Sequence, residues 1–193
     1  MKKFTKILLI GCLLVTVSCN NWLDVEPKSQ VKDKDLFASE MGFKEALSGV
    51  YSLMTKEALY GKELTFGWLG VLGQEWTSVP YNYEDDQKYD FENAASEVRI
   101  DSVWTGLYNA IANKLLKELE GKENLFSGDN YFIIKGEVLA LRAYLHFDLL
   151  RIFGASCTVG MERIAIPYVT EYAPTIFPQE KVGDFVGKVL NDL

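Results

Sequence analysis

The sequence predicts a predominantly α-helical protein, made of stacked antiparallel helix pairs of tetratricopeptide-like type with long irregular loops. Three observations predict it. Apolar residues recur at helical spacing in four stretches, near residues 39–54, 99–120, 131–153 and 178–193. Gly121 and Gly154 stand where two of these stretches stop. The third stretch carries two apolar lines, and such a helix is sandwiched between neighbours.

The chain starts with Lys2, Lys3 and Lys6, continues with an apolar run from Ile7 to Val17, and places Ser18 directly before Cys19. This order is that of a secretion signal. The run is shorter than the roughly 20 apolar residues a bilayer span needs, and it lacks the polar face of a core helix. A small residue followed by cysteine resembles a bacterial lipobox, in which the sulfur is acylated with diacylglycerol and the chain is cut just before it. Leu9-Ile10-Gly11-Cys12 fits that pattern locally. Cutting there leaves only Ile7 to Gly11 as the apolar region, below the roughly 7–15 residues such signals use. Cys19 is therefore the expected lipidation site, with residues 1–18 a signal peptide and residues 19–38 a polar tether carrying Pro27. Cys157 then has no intramolecular partner, and the cysteines make neither a disulfide framework nor a metal cluster.

Removing residues 1–18 takes away three lysines and no acids, which leaves 17 basic against 27 acidic residues, a net charge of −10. That opposes nucleic-acid binding, which needs a basic footprint. The remaining 175 residues suit one ordinary domain.

Ser39 is the expected N-cap of the first helix, whose stripe is Phe43, Ala46, Leu47, Val50, Tyr51 and Met54. Gly61 closes this region. Residues 62–76 are apolar without a clear period and hold three glycines, so no element is assigned to them. From Thr77 to Ala95 no period survives, and Pro80, three tyrosines and five acids crowd together. This is a long loop, of the kind that is usually functional or disordered. The next helix spans about 99–120, with Ile100, Val103, Trp104, Leu107, Tyr108, Ile111 and Leu115 as its stripe. After a polar turn comes the longest helix, 131–153. Its lines are Ile134, Val138, Leu141, Leu145, Leu149 and Ile152, and then Ala140, Ala143, Phe147 and Leu150. Residues 155–177 form an irregular connection. The last helix carries Val182, Phe185, Val186, Val189 and Leu190, a face for which the sequence offers no later partner.

Few residues suggest catalysis. His146 is the sole histidine, so no histidine-based metal cluster forms. Asp148 and Arg151 sit at the i, i+3 spacing of an ordinary helix ion pair. Glu84, Asp85 and Asp86 lie together as glycosidase carboxylates do, but in an exposed acidic loop a solvated charge run is the better account of them. Gly67, Gly70 and Gly73 lack the lysine and helix start of a phosphate loop. No metal and no cofactor is expected. The loop aromatics are different, because sugars present apolar C–H faces and hydroxyl edges. Their sites join flat aromatic platforms to carboxylate and amide partners. Trp76, Tyr81, Asn82, Tyr83, Asp86 and Tyr89 supply that mixture.

Several stretches together resemble the N-terminal part of the SusD/RagB family, outer-membrane glycan-binding lipoproteins of Bacteroidetes. They are Cys19 followed by Trp22-Leu23-Asp24 and Glu26-Pro27, the Trp104–Tyr108 segment with Asn113, and the helix from Gly136 to Gly154. That helix is similar to the family's E-x-x-x-L-R-A-x-x-x-F-D-L-x-R-x-F-G. Ile166-Pro167 and a helix ending at Asn191-Asp192-Leu193 complete the match. The resemblance implies a cell-surface lipoprotein that binds glycan, is not an enzyme, and passes its ligand to a SusC-like TonB-dependent transporter. It implies that Glu137 and Arg142 hold neighbouring helices. A helical lid for another nutrient, such as peptide, and a carbohydrate-active enzyme are the competing readings. Two departures stand out. Typical members are more than twice as long, so residues 39–193 read as an incomplete domain. The family spacing from Tyr108 to Asn113 is also two residues longer, a difference of about 200° on a continuous helix.

Overall fold

The computed structural model describes residues 33–193. The expected signal peptide, Cys12, Cys19 and most of the tether lie outside the described residues. Helix α1 spans Asp33–Leu36 and α2 Glu40–Met54. Ser39 caps α2 as expected, its side chain accepting from the Gly42 amide. The packed fold starts earlier than Ser39, however. Phe37, expected in the tether, is buried and meets Phe43 at a ring distance of 5.1 Å. Gly42 permits that closeness, since a Cβ there would sit 1.6 Å from the Leu36 carbonyl oxygen.

Beyond Met54 the chain winds through turns to a short helix α3, Trp68–Leu72. The expected loop 77–95 is tighter than its composition suggests. It contains a 3-10 turn at Tyr81–Tyr83 and helix α4, Glu84–Gln87. The following helix starts at Ala94, where Asn93 accepts from the Ser96 amide, and ends at Ala110. This is α5. A separate helix α6 spans Asn113–Leu119. The single helix expected over 99–120 is therefore two.

The break at Ile111 and Ala112 explains the short Tyr108–Asn113 spacing. On a continuous helix, five residues place these side chains about 140° apart. Here Ile111 is extended, with φ −66 and ψ 113. Tyr108 and Asn113 consequently reach the same strand end: the Tyr108 hydroxyl donates to the Pro167 carbonyl and the Asn113 amide to Val169, each at 2.8 Å.

Helix α7, Asn130–Phe153, is the centre of the stack. Helices α2, α5 and α6 pack on it, as do strand β1, Ile164–Pro167, and the last helix α9, Val182–Asp192. A one-turn helix α8, Cys157–Gly160, and antiparallel β1 with β2, Gln179–Lys181, fill the connection that was expected to be irregular. One core cluster gathers Val103, Leu107, Leu145, Leu149, Val182 and Phe185. A second gathers Phe43, Leu47, Leu115, Leu119, Ile134 and Val138. The second apolar line of α7 is half right: Ala143 and Leu150 are buried, while Ala140 and Phe147 face solvent. The expectation of an unmatched last helix is overturned. Val182 and Phe185 are fully buried and Val189 nearly so, because α9 folds back along α7 and leaves only Leu190 of its apolar set exposed. Among the described residues no helix is long and apolar enough to cross a membrane.

Candidate functional site

Between α2 and α5, Leu59, Leu64 and Val71 join the core, while the segment from Thr77 to Phe91 is organised by buried charge. Arg99, on the first turns of α5, pairs with Asp86 of α4, which is fully buried. Its NH2 group donates to the Asn82 carbonyl at 2.9 Å, and its guanidinium lies 4.0 Å from the centre of the Tyr83 ring. Asp86 also accepts from the Trp68 indole at 3.2 Å. Glu63 takes the Tyr83 hydroxyl at 2.7 Å and the Trp68 amide at 3.0 Å, with Arg99 Nε 3.7 Å away. Burial pushes the Tyr83 phenol above its ordinary pKa. The Tyr83 hydroxyl and the Glu63 carboxylate raise that of Lys62, keeping the ammonium charged.

On the outer side of this cluster lies a groove of about 280 Å³. Its walls are Phe66, Trp76, Val79 and Pro80, with Tyr83 and Val71 at the base and Lys62 and Ser78 on the rim. Trp76 is held at both ends: its indole donates to the Phe66 carbonyl at 3.0 Å, and its own carbonyl accepts from Gln87 at 3.0 Å. Gly70 lets the ring settle, because a Cβ there would come within 2.8 Å of the indole nitrogen. The opposite strand of the loop is pinned by Gln74 Nε2 on the Gln87 carbonyl and by the Tyr89 hydroxyl on Leu72. The outcome is a shallow apolar slot with two half-exposed aromatic walls and a cation at its lip. Flat faces of this kind take the C–H side of a sugar ring. Glu63 and Asp86 are both occupied by Arg99 and by hydrogen bonds, so neither stands free as an acid or base.

The structure sorts the six expected ligand residues. Trp76 lines the groove and is half exposed. Tyr83 reaches the groove only from its base, since its ring is 5 % exposed and its hydroxyl is spent on Glu63. Asp86 is corrected: the acidic run is not uniformly solvated, and this carboxylate faces inward to Arg99, where no ligand reaches it. Asn82 is exposed, and its carbonyl serves Arg99. Tyr81 and Tyr89 are exposed but do not line the groove. Phe66 and Lys62 were missed. Residues 62–76 show no period, and only their glycines signalled close packing.

Glu137, Arg142 and Asp148 of α7 each bond a residue of a neighbouring segment. The Tyr51 hydroxyl donates to the Glu137 carboxylate, and this bond pushes the Tyr51 phenol up to about 12. Arg142 forks onto Asp192. Asp148 accepts from the Tyr60 hydroxyl at 2.7 Å and pairs with Arg151 at 2.7 Å. The Asp148–Arg151 spacing forms the helix ion pair expected of it.

A family model described as starch-binding and associating with outer membrane, SusD-like_3, matches residues 21–184. The chain belongs to this family. Among curated proteins of Formosa agariphila, SusD-like protein P38 is 24% identical over 198 residues, an alignment that covers 100% of this chain and 37% of P38. SusD-like protein P2 is 26% identical over 80% of this chain and 30% of its own length. The chain thus spans about a third of the length of these relatives. Two solved SusD superfamily structures share the fold. One, from Bacteroides fragilis, has a TM-score of 0.68 at 20% identity over 82% of this chain and 39% of that one. The other, from Bacteroides thetaiotaomicron, has a TM-score of 0.62 at 19% identity over 80% and 36%. The helical fold expected from the sequence is the fold of this superfamily.

Proposed function

We propose that the chain captures glycan at the Phe66–Trp76 groove, as part of a lipoprotein anchored in the outer membrane through Cys19 and facing the cell surface. It hands the sugar to a SusC-like TonB-dependent transporter and does not cleave it. The observation that carries this reading is the groove itself, whose Trp76 wall is fixed by hydrogen bonds with the Phe66 carbonyl and Gln87 and whose Tyr83 base is fixed by Glu63 and Arg99. The family description, starch-binding and associating with outer membrane, supports the ligand class and the location. Residues 39–193 are, in this reading, the N-terminal portion of a SusD-like domain.

Pull-down of the full chain on insoluble starch, with cellulose and xylan in parallel, tests the groove. Trp76→Ala and Phe66→Ala each weaken retention at least several-fold while the helical circular dichroism stays unchanged. Equal retention of both variants on every glycan defeats the reading. Palmitate labelling tests the anchor: Cys19→Ala abolishes it and Cys12→Ala does not.

A further inference from the structure

A second cleft, of about 310 Å³, lies between α6 and the turn at residues 170–173. It shares no lining residue with the groove. Arg142 and Asn113 form its inner end. Asn113 is 4 % exposed and Arg142 is largely buried. Arg142 NH1 lies 3.3 Å from Asn113 Oδ1 and 3.5 Å from the Thr170 carbonyl. The turn beside it is already ordered. Asn113 donates to the Val169 carbonyl at 2.8 Å, and the Val169 amide donates to His146 Nε2 at 2.9 Å. Tyr172 stands at the mouth, 63 % exposed, with the Lys114 ammonium 5.6 Å from its ring centre. Glu120, Glu171 and Lys117 complete the rim.

The charges of this cleft cancel. Asp192 neutralises Arg142, and Lys114 and Lys117 balance Glu120 and Glu171. Neither an anion nor a cation is favoured, whereas a neutral ligand with hydroxyls on its edge meets both donors and acceptors. Its volume is at the small end of the roughly 300–1,000 Å³ typical of ligand sites, which suits a single ring or a chain end. Two broader clefts, beside α9 and beside α3, carry no aromatic side chain to stack on such a ring.

We propose that the cleft between α6 and residues 170–173 is a second sugar-contact site, taking one neutral ring of an oligosaccharide. Tyr172 is its platform, and Glu120, Glu171 and Lys117 bond the hydroxyls. The proposal rests on the glycan reading for its ligand class and not on the groove for its location.

The full 193-residue chain, 15N-labelled and in detergent solution, is titrated with maltoheptaose, cellohexaose and xylohexaose, with trigalacturonate as the anionic probe. At least one neutral probe shifts the amides of residues 170–173. Tyr172→Ala abolishes those shifts, with at least a tenfold loss of affinity there, and Glu171→Gln weakens them several-fold. Trp76→Ala leaves them in place. If Trp76→Ala removes all binding and Tyr172→Ala none, the second site is wrong and the groove stands. If only Tyr172→Ala has an effect, the groove reading falls and this site remains. Shifts of residues 170–173 with trigalacturonate alone, or with no probe, overturn the proposal.

Discussion

The cluster around Arg99 and the cluster around Arg142 are built from the same parts, an arginine, an aspartate and a tyrosine hydroxyl, yet they fasten different kinds of structure. Arg99 holds a loop. Residues 77–91 bury little aliphatic surface of their own, and Asp86, fully buried, is bound to the rest of the fold through Arg99 and Trp68. Arg142 fastens a helix that apolar packing already holds. Val182, Phe185 and Val189 seat α9 on α7, and the Asp192 side chain reaches Arg142 and the Tyr168 hydroxyl from the last turn. Where a segment has few apolar side chains to bury, buried charge takes over its positioning, and the segment depends on that charge being paired.

The largest expected effect follows from this. Arg99→Ala leaves the Asp86 carboxylate buried without its cation, a change that costs about 3–5 kcal/mol. Guanidinium denaturation reads the loss, and Arg99→Ala with Asp86→Leu recovers part of it. A loss smaller than that of Arg142→Ala breaks the comparison.

His146 sharpens the other cluster. Its ring is stacked on Tyr168 at 3.9 Å, Nδ1 donates to the Arg142 carbonyl, and Nε2 accepts from Val169. Burial pushes its pKa down to about 4 from the ordinary 6.5. The unfolded chain therefore takes up this proton first. The stability contributed by the neutral ring is complete above about pH 6.5 and is lost as pH falls toward 4, by at most about 3 kcal/mol. Urea titrations at pH 7 and pH 4.5 on the parent chain and on His146→Gln separate this slope from that of the carboxylates. Equal slopes in the two proteins refute it.

Arg142→Ala comes next, at about 1–3 kcal/mol. Asp192 is buried but lies in the final turn, where its carboxylate can swing out to water once Arg142 is gone, and the apolar face of α9 is untouched. The smallest effect is expected at Asp85→Asn, within about 0.5 kcal/mol in the same titration, because Asp85 is half exposed and only loosely paired with Lys88 at 3.9 Å. Asp85 and Asp86 are neighbours in one acidic run, so a large loss at Asp85 contradicts the account of the loop.

Periodicity made the long helices readable in advance, although it ran α5 and α6 together and missed the one-turn helices. The Ser39 cap and the central position of residues 131–153 follow from local spacing, because a helix repeats its contacts every three or four residues. The family likeness was legible for a related reason, since the signature from Glu137 to Gly154 lies within one continuous helix. The groove was only partly legible. Trp76 announced itself as an aromatic at the edge of a long loop, while Phe66 and Lys62 lie deeper in the preceding stretch without any period.

What tertiary structure alone decided is the direction each loop side chain takes. Nothing local separates Asp86 from Asp85; a guanidinium thirteen residues later does, by pulling one carboxylate out of water. The two helices in place of one at Ile111 have the same origin, because Tyr108 and Asn113 both bond residues 167–169 and a straight helix cannot aim them there. The covering of α9 by α7 likewise depends on a contact spanning some forty residues. Sequence by itself determined the elements whose energetics are local. Partners distant in the chain decided the rest, because a buried charge or an apolar face is stabilised only by the group that meets it.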